Sequence, residues 1–133
     1  MKKRLLVIIV LIVLCAILTA CSNRGNTENV VTDIGSSEKF SDNEINTAME
    51  CVIKKFKDFE GCELTKLWYD EDHSDSWIEE YAPGSAIVLL SEFEVKEKGG
   101  DGSLNPNSTY ENWSWILTRE SETSSWQVKD WGY

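Results

Sequence analysis

Histidine occurs once in this 133-residue chain, at position 73, and cysteine only four times. A lone imidazole, set in the charged run Asp70–Asp75, supplies neither a His-based metal site nor the base of a Ser-His-Asp set. Positive charge is also scarce: 13 Lys and Arg stand against 23 Asp and Glu, a formal charge of −10. Such a surface repels phosphate backbones, which excludes nucleic acid as a partner and leaves basic peptides and metal ions open. An apolar run long enough to cross a bilayer is missing as well. Leu5–Ala20 is apolar apart from Thr19, but 16 residues rise roughly 24 Å as a helix, short of the ~30 Å hydrocarbon core.

What stands in its place is an export signal. Lys2, Lys3 and Arg4 precede the apolar stretch, and Leu18-Thr19-Ala20-Cys21 closes it. That tetrapeptide has the form of a lipobox, in which a small residue precedes a cysteine that is alkylated by diacylglycerol before cleavage. Residues 1–20 are therefore expected to be removed, leaving Cys21 lipidated and the chain anchored on the extracytoplasmic face of the cell membrane. Two acyl chains on one residue give stable anchoring where a single chain does not. Processing removes three basic residues and no acidic one, so the mature chain carries 10 against 23, a charge of −13. Ser22–Lys39 is rich in Ser, Asn, Thr, Gly and Glu, so residues 21–39 read as a lipidated flexible tether of about 25 Å and residues 40–133 as the folded domain.

Cys15 leaves with the signal and Cys21 is lipidated, so Cys51 and Cys62 remain as an even pair in an oxidising compartment. A bridge between them requires the chain to reverse sharply at Gly61 and run back along the preceding helix, since the two Cα atoms must come within about 7 Å. Spacing permits that disulfide and equally permits two buried thiols.

Within the domain, Ser41-Asp42-Asn43-Glu44 has the S-x-x-E form of a capping box, with Phe40 and Ile45 placed to staple it. Ile45, Ala48, Met49, Val52, Phe56 and Phe59 recur at helical spacing, which predicts an amphipathic helix over Asp42–Asp58 stopped near Gly61. Strands are expected over Cys62–Tyr69, Ser85–Val95, Tyr110–Arg119 and Ser125–Trp131. Asp70–Asp75 reads as a loop, Ser76–Tyr81 as a short helix and Pro83-Gly84 as a turn. In the second strand Ile87, Leu89, Phe93 and Val95 share one parity while Val88 and Leu90 face the other way, which predicts a central strand buried on both faces. The expected architecture is α+β: an N-terminal amphipathic helix packed on a curved antiparallel four-stranded sheet.

The blocks Phe56–Cys62, Leu67–Asp70, Ile87–Ser91, Gly99–Tyr110 (GGDGSLNPNSTY), Trp113–Leu117 and Trp131–Tyr133 resemble an uncharacterised family of Gram-positive surface lipoproteins. Its domain of unknown function is considered similar to the NTF2-like, cystatin-like α+β fold and also occurs fused to antibiotic-sensing membrane metallopeptidases. The resemblance covers nearly all of residues 40–133. It implies the fold, the address and a sensor-like binding role, and it carries over no functional residues because the family has none assigned. This sequence has no peptidase or transmembrane portion beside the domain.

The residues themselves allow three chemistries. Asp101, Ser103, Asn105 and Asn107 place side-chain oxygens at alternate positions of the long loop Lys96–Ser108, a candidate binding loop and the one place where calcium could be held. An EF-hand counted from Asp101 would need Gly at position six and Glu at twelve, and finds Pro106 and Asn112, so no metal or cofactor is assigned. Six tryptophans exceed what a thin core needs. Trp113 and Trp115 share a face with Leu117 and read as core, whereas Trp68, Trp131 and Tyr133 are less obviously inward and suit stacking on cell-wall glycan. Asp70, Glu71, Asp72, Glu79 and Glu80 are too many for any catalytic pair to be chosen. No catalytic motif stands out, so the chain reads as a non-catalytic module binding an extracytoplasmic protein, peptide or small ligand. A glycan-binding module or a small enzyme with an NTF2-like pocket are the other readings.

Overall fold

The computed structural model describes residues 24–97, 99–100 and 102–133; the signal, the lipobox with Cys21, and Asp101 lie outside these. The fold is α+β, with two helices and an open five-stranded mixed sheet. In chain order the elements are β1 (Val31–Asp33), α1 (Asp42–Phe56), β2 (Cys62–Trp68), α2 (Glu71–Ile78), β3 (Ala86–Val95), β4 (Ser108–Thr118) and β5 (Gln127–Gly132). The sheet order is β1-β2-β3-β4-β5, with β1 parallel to β2 and every other pair antiparallel.

α1 begins as its sequence dictates. The Ser41 hydroxyl accepts from Glu44 N at 3.2 Å and the Glu44 carboxylate accepts from Ser41 N at 2.7 Å, a complete capping box. The helix ends at Phe56, two residues before the expected Asp58. Asp58 N bonds to Lys55 O and Phe59 N to Phe56 O, tightening the chain out of α-helical pitch. Gly61 then takes φ +67°, and β2 runs back under the helix.

α1 covers one face of the sheet. Ile45, Ala48, Met49, Val52 and Phe56 are buried against Leu64, Leu67, Ile87, Leu89, Phe93, Trp115 and Leu117. Phe56 lies edge-on to both Phe93 (5.5 Å) and Trp115 (6.4 Å). α2 covers the other face. Beyond the end of β2 the Val88 N–H has no strand beside it, and the buried Ser74 hydroxyl of α2 accepts it at 3.0 Å. Val88 and Leu90 are buried as well, so β3 is central and packed on both sides, as its two parities predict. Strand registers shift between Leu64 and Lys66, between Ser91 and Phe93, and between Ile116 and Leu117. Such irregularities add local twist and curve a sheet; Asn112, in the β4 irregularity, takes φ +56°.

Three expectations are corrected. The stretch read as a flexible tether is docked from Gly25 onward. Gly25 N donates to Lys57 O (3.1 Å), Asn26 N to Cys62 O (2.8 Å) and Leu64 N to Asn26 O (2.9 Å), and β1 then pairs along Lys66–Trp68. All three β1 side chains are exposed, so composition saw no burial. The segment is held by backbone groups on an edge strand, which composition does not report. This also makes the sheet five-stranded rather than four. Secondly, the Asp70–Asp75 loop is the start of α2. The Asp70 carboxylate caps it by accepting from His73 N at 3.0 Å, and Glu71 and Asp72 suit the positive helix end. The helix expected over Ser76–Tyr81 accordingly ends at Ile78. Thirdly, His73 is half-buried in that helix rather than exposed in a loop. Of the two states that spacing left open for Cys51 and Cys62, the structure has the one without a bridge between them. The Cys51 thiol leans on the residue ahead of β5 and donates to Trp126 O at 3.3 Å, whereas Cys62 opens β2. The Cys62 thiol donates instead to Glu60 O at 3.6 Å, so the two thiols are turned to different partners.

Candidate functional site

The two ends of the sheet are built differently. At one end Arg119, at the close of β4, has a side chain only 3% exposed and is satisfied on every side. It donates to Gly84 O (2.8 Å), to Glu122 O (3.4 Å) and to the Glu44 carboxylate (2.8 Å), and its guanidinium lies 4.2 Å from the Trp126 ring centroid. The Trp126 indole N–H donates to Glu44 O at 3.1 Å. The Ser41 N–H first, then Arg119, holds the Glu44 carboxyl below its ordinary pKa. This end is closed.

The other end gathers the C-terminus of α1, the start of β2, the end of β3, the start of β4 and the end of β5. The two turns there are tied together by Gly100 N to Glu60 O (2.6 Å) and Lys96 N to Gly61 O (3.0 Å). Between them opens a groove of about 470 Å³, lined by Phe59, Leu104, Trp113 and Trp131 with Lys55, Asp58, Glu60, Cys62, Gly100 and Ser103 at its margins. The early end of α1 turns Phe59 toward this space. Its ring stacks on Phe56 (5.2 Å) and meets Trp115 (5.2 Å) and Trp131 (6.0 Å). Trp131 is 40% exposed and Tyr133 71%. Lys55 Nζ lies 5.1 Å above the Trp131 ring and 3.1 Å from Asp58. The Trp113 indole N–H is buried and has no hydrogen-bond partner among the described residues.

The residues singled out from sequence are divided by this geometry. Ser103 lines the groove. Asn105 and Asn107 shape the loop instead: Asn105 N donates to the Tyr110 hydroxyl at 3.0 Å, Asn105 O accepts from Ser108 Oγ, and Asn107 takes φ +54°. Asp101 lies outside the described residues, and among those described no group of three or more His, Cys, Asp or Glu could hold a metal ion. Trp115 is fully buried, as read; Trp113 is half-buried and lines the groove, and Trp131 and Tyr133 are outward. Burial pushes the Cys51 thiol upward in pKa, which keeps it protonated. His73 Nε2 lies 3.4 Å from Ser114 Oγ on the α2 side of the sheet, away from the groove.

Phe59, Lys55 and Leu104 were missed as groove residues. Phe59 continues the apolar stripe of α1 by spacing alone, and only the early end of the helix takes it out of register. The signal that could have found it is Lys57-Asp58 ahead of Glu60-Gly61, a polar run that dilutes the helix before its glycine stop. No protein-family profile, curated protein or solved structure matches this chain.

Proposed function

We propose that the chain is an extracytoplasmic lipoprotein, anchored to the cell membrane through diacylglycerol on Cys21. Its domain is a non-catalytic, sensor-like binding module that takes a protein, peptide or small ligand at the aromatic groove. The single observation that carries the binding reading is the aromatic lining of the groove, since the larger hollows beside Arg119, of about 510 and 610 Å³, are lined mainly by polar and charged side chains. The layer between α1 and the sheet is filled by fully buried Phe56, Phe93, Trp115 and Leu117, whereas about 470 Å³ opens outside it, among Phe59, Leu104, Trp113 and Trp131. Concave, mostly apolar clefts with a few polar groups at their margins are where ligands bind. A helix packed on a curved sheet supports placing the domain with the NTF2-like, cystatin-like folds. An NTF2-like enzyme would need its pocket inside the layer that these side chains fill. Among the described residues no helix is long and apolar enough to cross a membrane, which is compatible with a lipid anchor.

The test is hydrogen exchange on the detergent-extracted, acylated protein, with and without isolated cell envelope. Slowing confined to Asp58–Gly61 and Trp131–Tyr133 is expected; unchanged exchange there would remove the groove as the binding site. A second reading, cell-wall glycan as the ligand, is favoured by one observation, the exposed Trp131 beside Asp58 and Glu60. Purified sacculi alone would then reproduce the slowing.

A further inference from the structure

The docked N-terminal segment decides which end of the domain can meet the bilayer. Gly25 is buried against the last turn of α1, so close that a Cβ there would lie 2.0 Å from Phe56 O. From Cys21 to Gly25 is four residues, and a fully extended chain covers at most about 14 Å over that distance. Gly25 sits on Lys57 and Asn26 on Cys62, at the groove end of the sheet. A lipid on Cys21 therefore holds this end within a short reach of the outer leaflet, with the closed end a full strand length farther out.

The chemistry of the two ends agrees with that placement. Trp77, Trp131 and Tyr133, all exposed, line one crevice beside the groove. Amphipathic aromatic rings of this kind settle at the level of lipid headgroups. At this end Arg24, Lys54, Lys55, Lys57 and Lys96 stand against Asp58, Glu60, Glu63, Glu94 and Glu97, with Lys55 paired to Asp58 and Lys96 to Glu63 and Glu94. The closed end carries Asp42, Glu44, Glu120 and Glu122 around the buried Arg119. A chain with an overall charge of −13 after processing would be repelled by anionic lipid through its acidic end, and least through its balanced one.

We propose that the groove end docks on the bilayer, with Phe59, Trp131 and Tyr133 seated in the phospholipid headgroup region and the α1 lysines toward the phosphates. This rests on lipidation at Cys21 and on the groove as binding site, and it names the groove's small ligand as a phospholipid headgroup of the outer leaflet. The experiment places the acylated, ¹⁵N-labelled protein in phosphatidylglycerol–phosphatidylcholine nanodiscs containing a gadolinium-headgroup lipid. The mass of the N-terminal peptide is read from the same sample. Amide broadening is expected to be at least fivefold stronger at Lys57, Gly61 and Gly132 than at Gly84 and Ser121–Ser125. Replacing Trp131 and Tyr133 by Ser should at least halve that ratio, with folding checked by near-UV circular dichroism. Absence of the acyl mass overturns the anchoring reading and the docking with it. Acyl mass with even broadening, or broadening strongest at Ser121–Ser125, overturns the docking alone. An undiminished ratio in the double variant overturns the role given to the aromatics.

Discussion

Trp115 and Trp113 lie two residues apart on one strand and one face, and one completes the buried layer while the other opens on the groove. Trp115 is fully buried, and its indole N–H donates at 2.7 Å to the buried hydroxyl of Ser91. Trp113 is half-buried at the groove, and its N–H meets no partner among the described residues. The same contrast runs through the whole fold. The Arg119 guanidinium, the Glu44 carboxylate and the Trp126 indole are all answered, whereas toward Phe59 apolar surface and one donor are left over. A buried donor without a partner costs about 1–3 kcal/mol relative to one that is satisfied. Stability is therefore concentrated at the closed end, and the capacity to bind at the open one.

The largest expected break in that contrast is at Arg119. Arg119→Met leaves Glu44 unpaired and removes the donors to Gly84 O and Glu122 O. Losing one partner of a fully buried pair costs about 3–5 kcal/mol. Glu44 is 27% exposed, so we expect about 2–4 kcal/mol by urea unfolding. The double variant with Glu44→Gln should cost less than the sum of the two singles, and additivity would show that the ion pair does not couple them. Next in size is Ser91→Ala, which strands the Trp115 indole at an expected cost of about 1–3 kcal/mol. A loss under about 0.5 kcal/mol would mean that the indole finds another acceptor.

Acid should separate the same regions by a smaller amount. The Ser41 N–H and Arg119 hold Glu44 below its ordinary pKa, and the Ser37 hydroxyl and Glu38 N–H do the same for Glu71. Both folded-state values lie below the unfolded ones. Their contribution is therefore fully present above about pH 4.3, the ordinary Glu value, and is lost as pH falls through the folded-state values. Replacing both residues by Gln should flatten the fall of unfolding free energy below pH 4.3 and leave its slope near neutrality unchanged. An acid limb as steep as in the parent protein would refute that assignment. Glu71 also gathers Ser37 Oγ, Glu38 N and the Tyr69 hydroxyl, whose own pKa is pushed up to about 12, chiefly by burial. Glu71→Gln should accordingly speed amide exchange in Val31–Asp33.

The closed end was the more legible from sequence, for a physical reason. The capping box, the α1 stripe and the two parities of β3 are local patterns, in which neighbours in the chain carry the signal, and each is found where the pattern puts it, except that the stripe stops at Phe56 and leaves Phe59 to the groove. Arg119 is the exception: its partners lie at positions 44, 84 and 122, and no local spacing announces them. The open end depends on such distant pairings throughout. Gly25 against Phe56, Gly100 against Glu60 and Trp131 against Phe59 are contacts between segments far apart in sequence. β1 was unreadable because nothing in its side chains is buried; the edge of β2 recruits it. The Asp101–Asn107 pattern suggested cation ligands, yet Asn105 and Asn107 serve the turn itself. In a loop, residues that suit ligation and residues that suit tight backbone are the same types.

The smallest change tests the contrast most directly. Trp113→Phe removes an N–H that has no partner to lose and keeps an aromatic ring against Phe93 and Tyr133, which the indole meets at 5.4 and 5.3 Å. The lost ring area and the relieved donor oppose each other, so the unfolding free energy should move by less than about 0.5 kcal/mol, in either direction. The same substitution at Trp115 loses a made hydrogen bond, leaves the Ser91 hydroxyl without its donor and opens a void in a packed layer, at about 2 kcal/mol or more. Two Trp→Phe changes on one face of one strand should thus differ by well over 1 kcal/mol. Equal costs would mean that the Trp113 N–H is satisfied after all, and that the groove end is packed as completely as the end around Arg119.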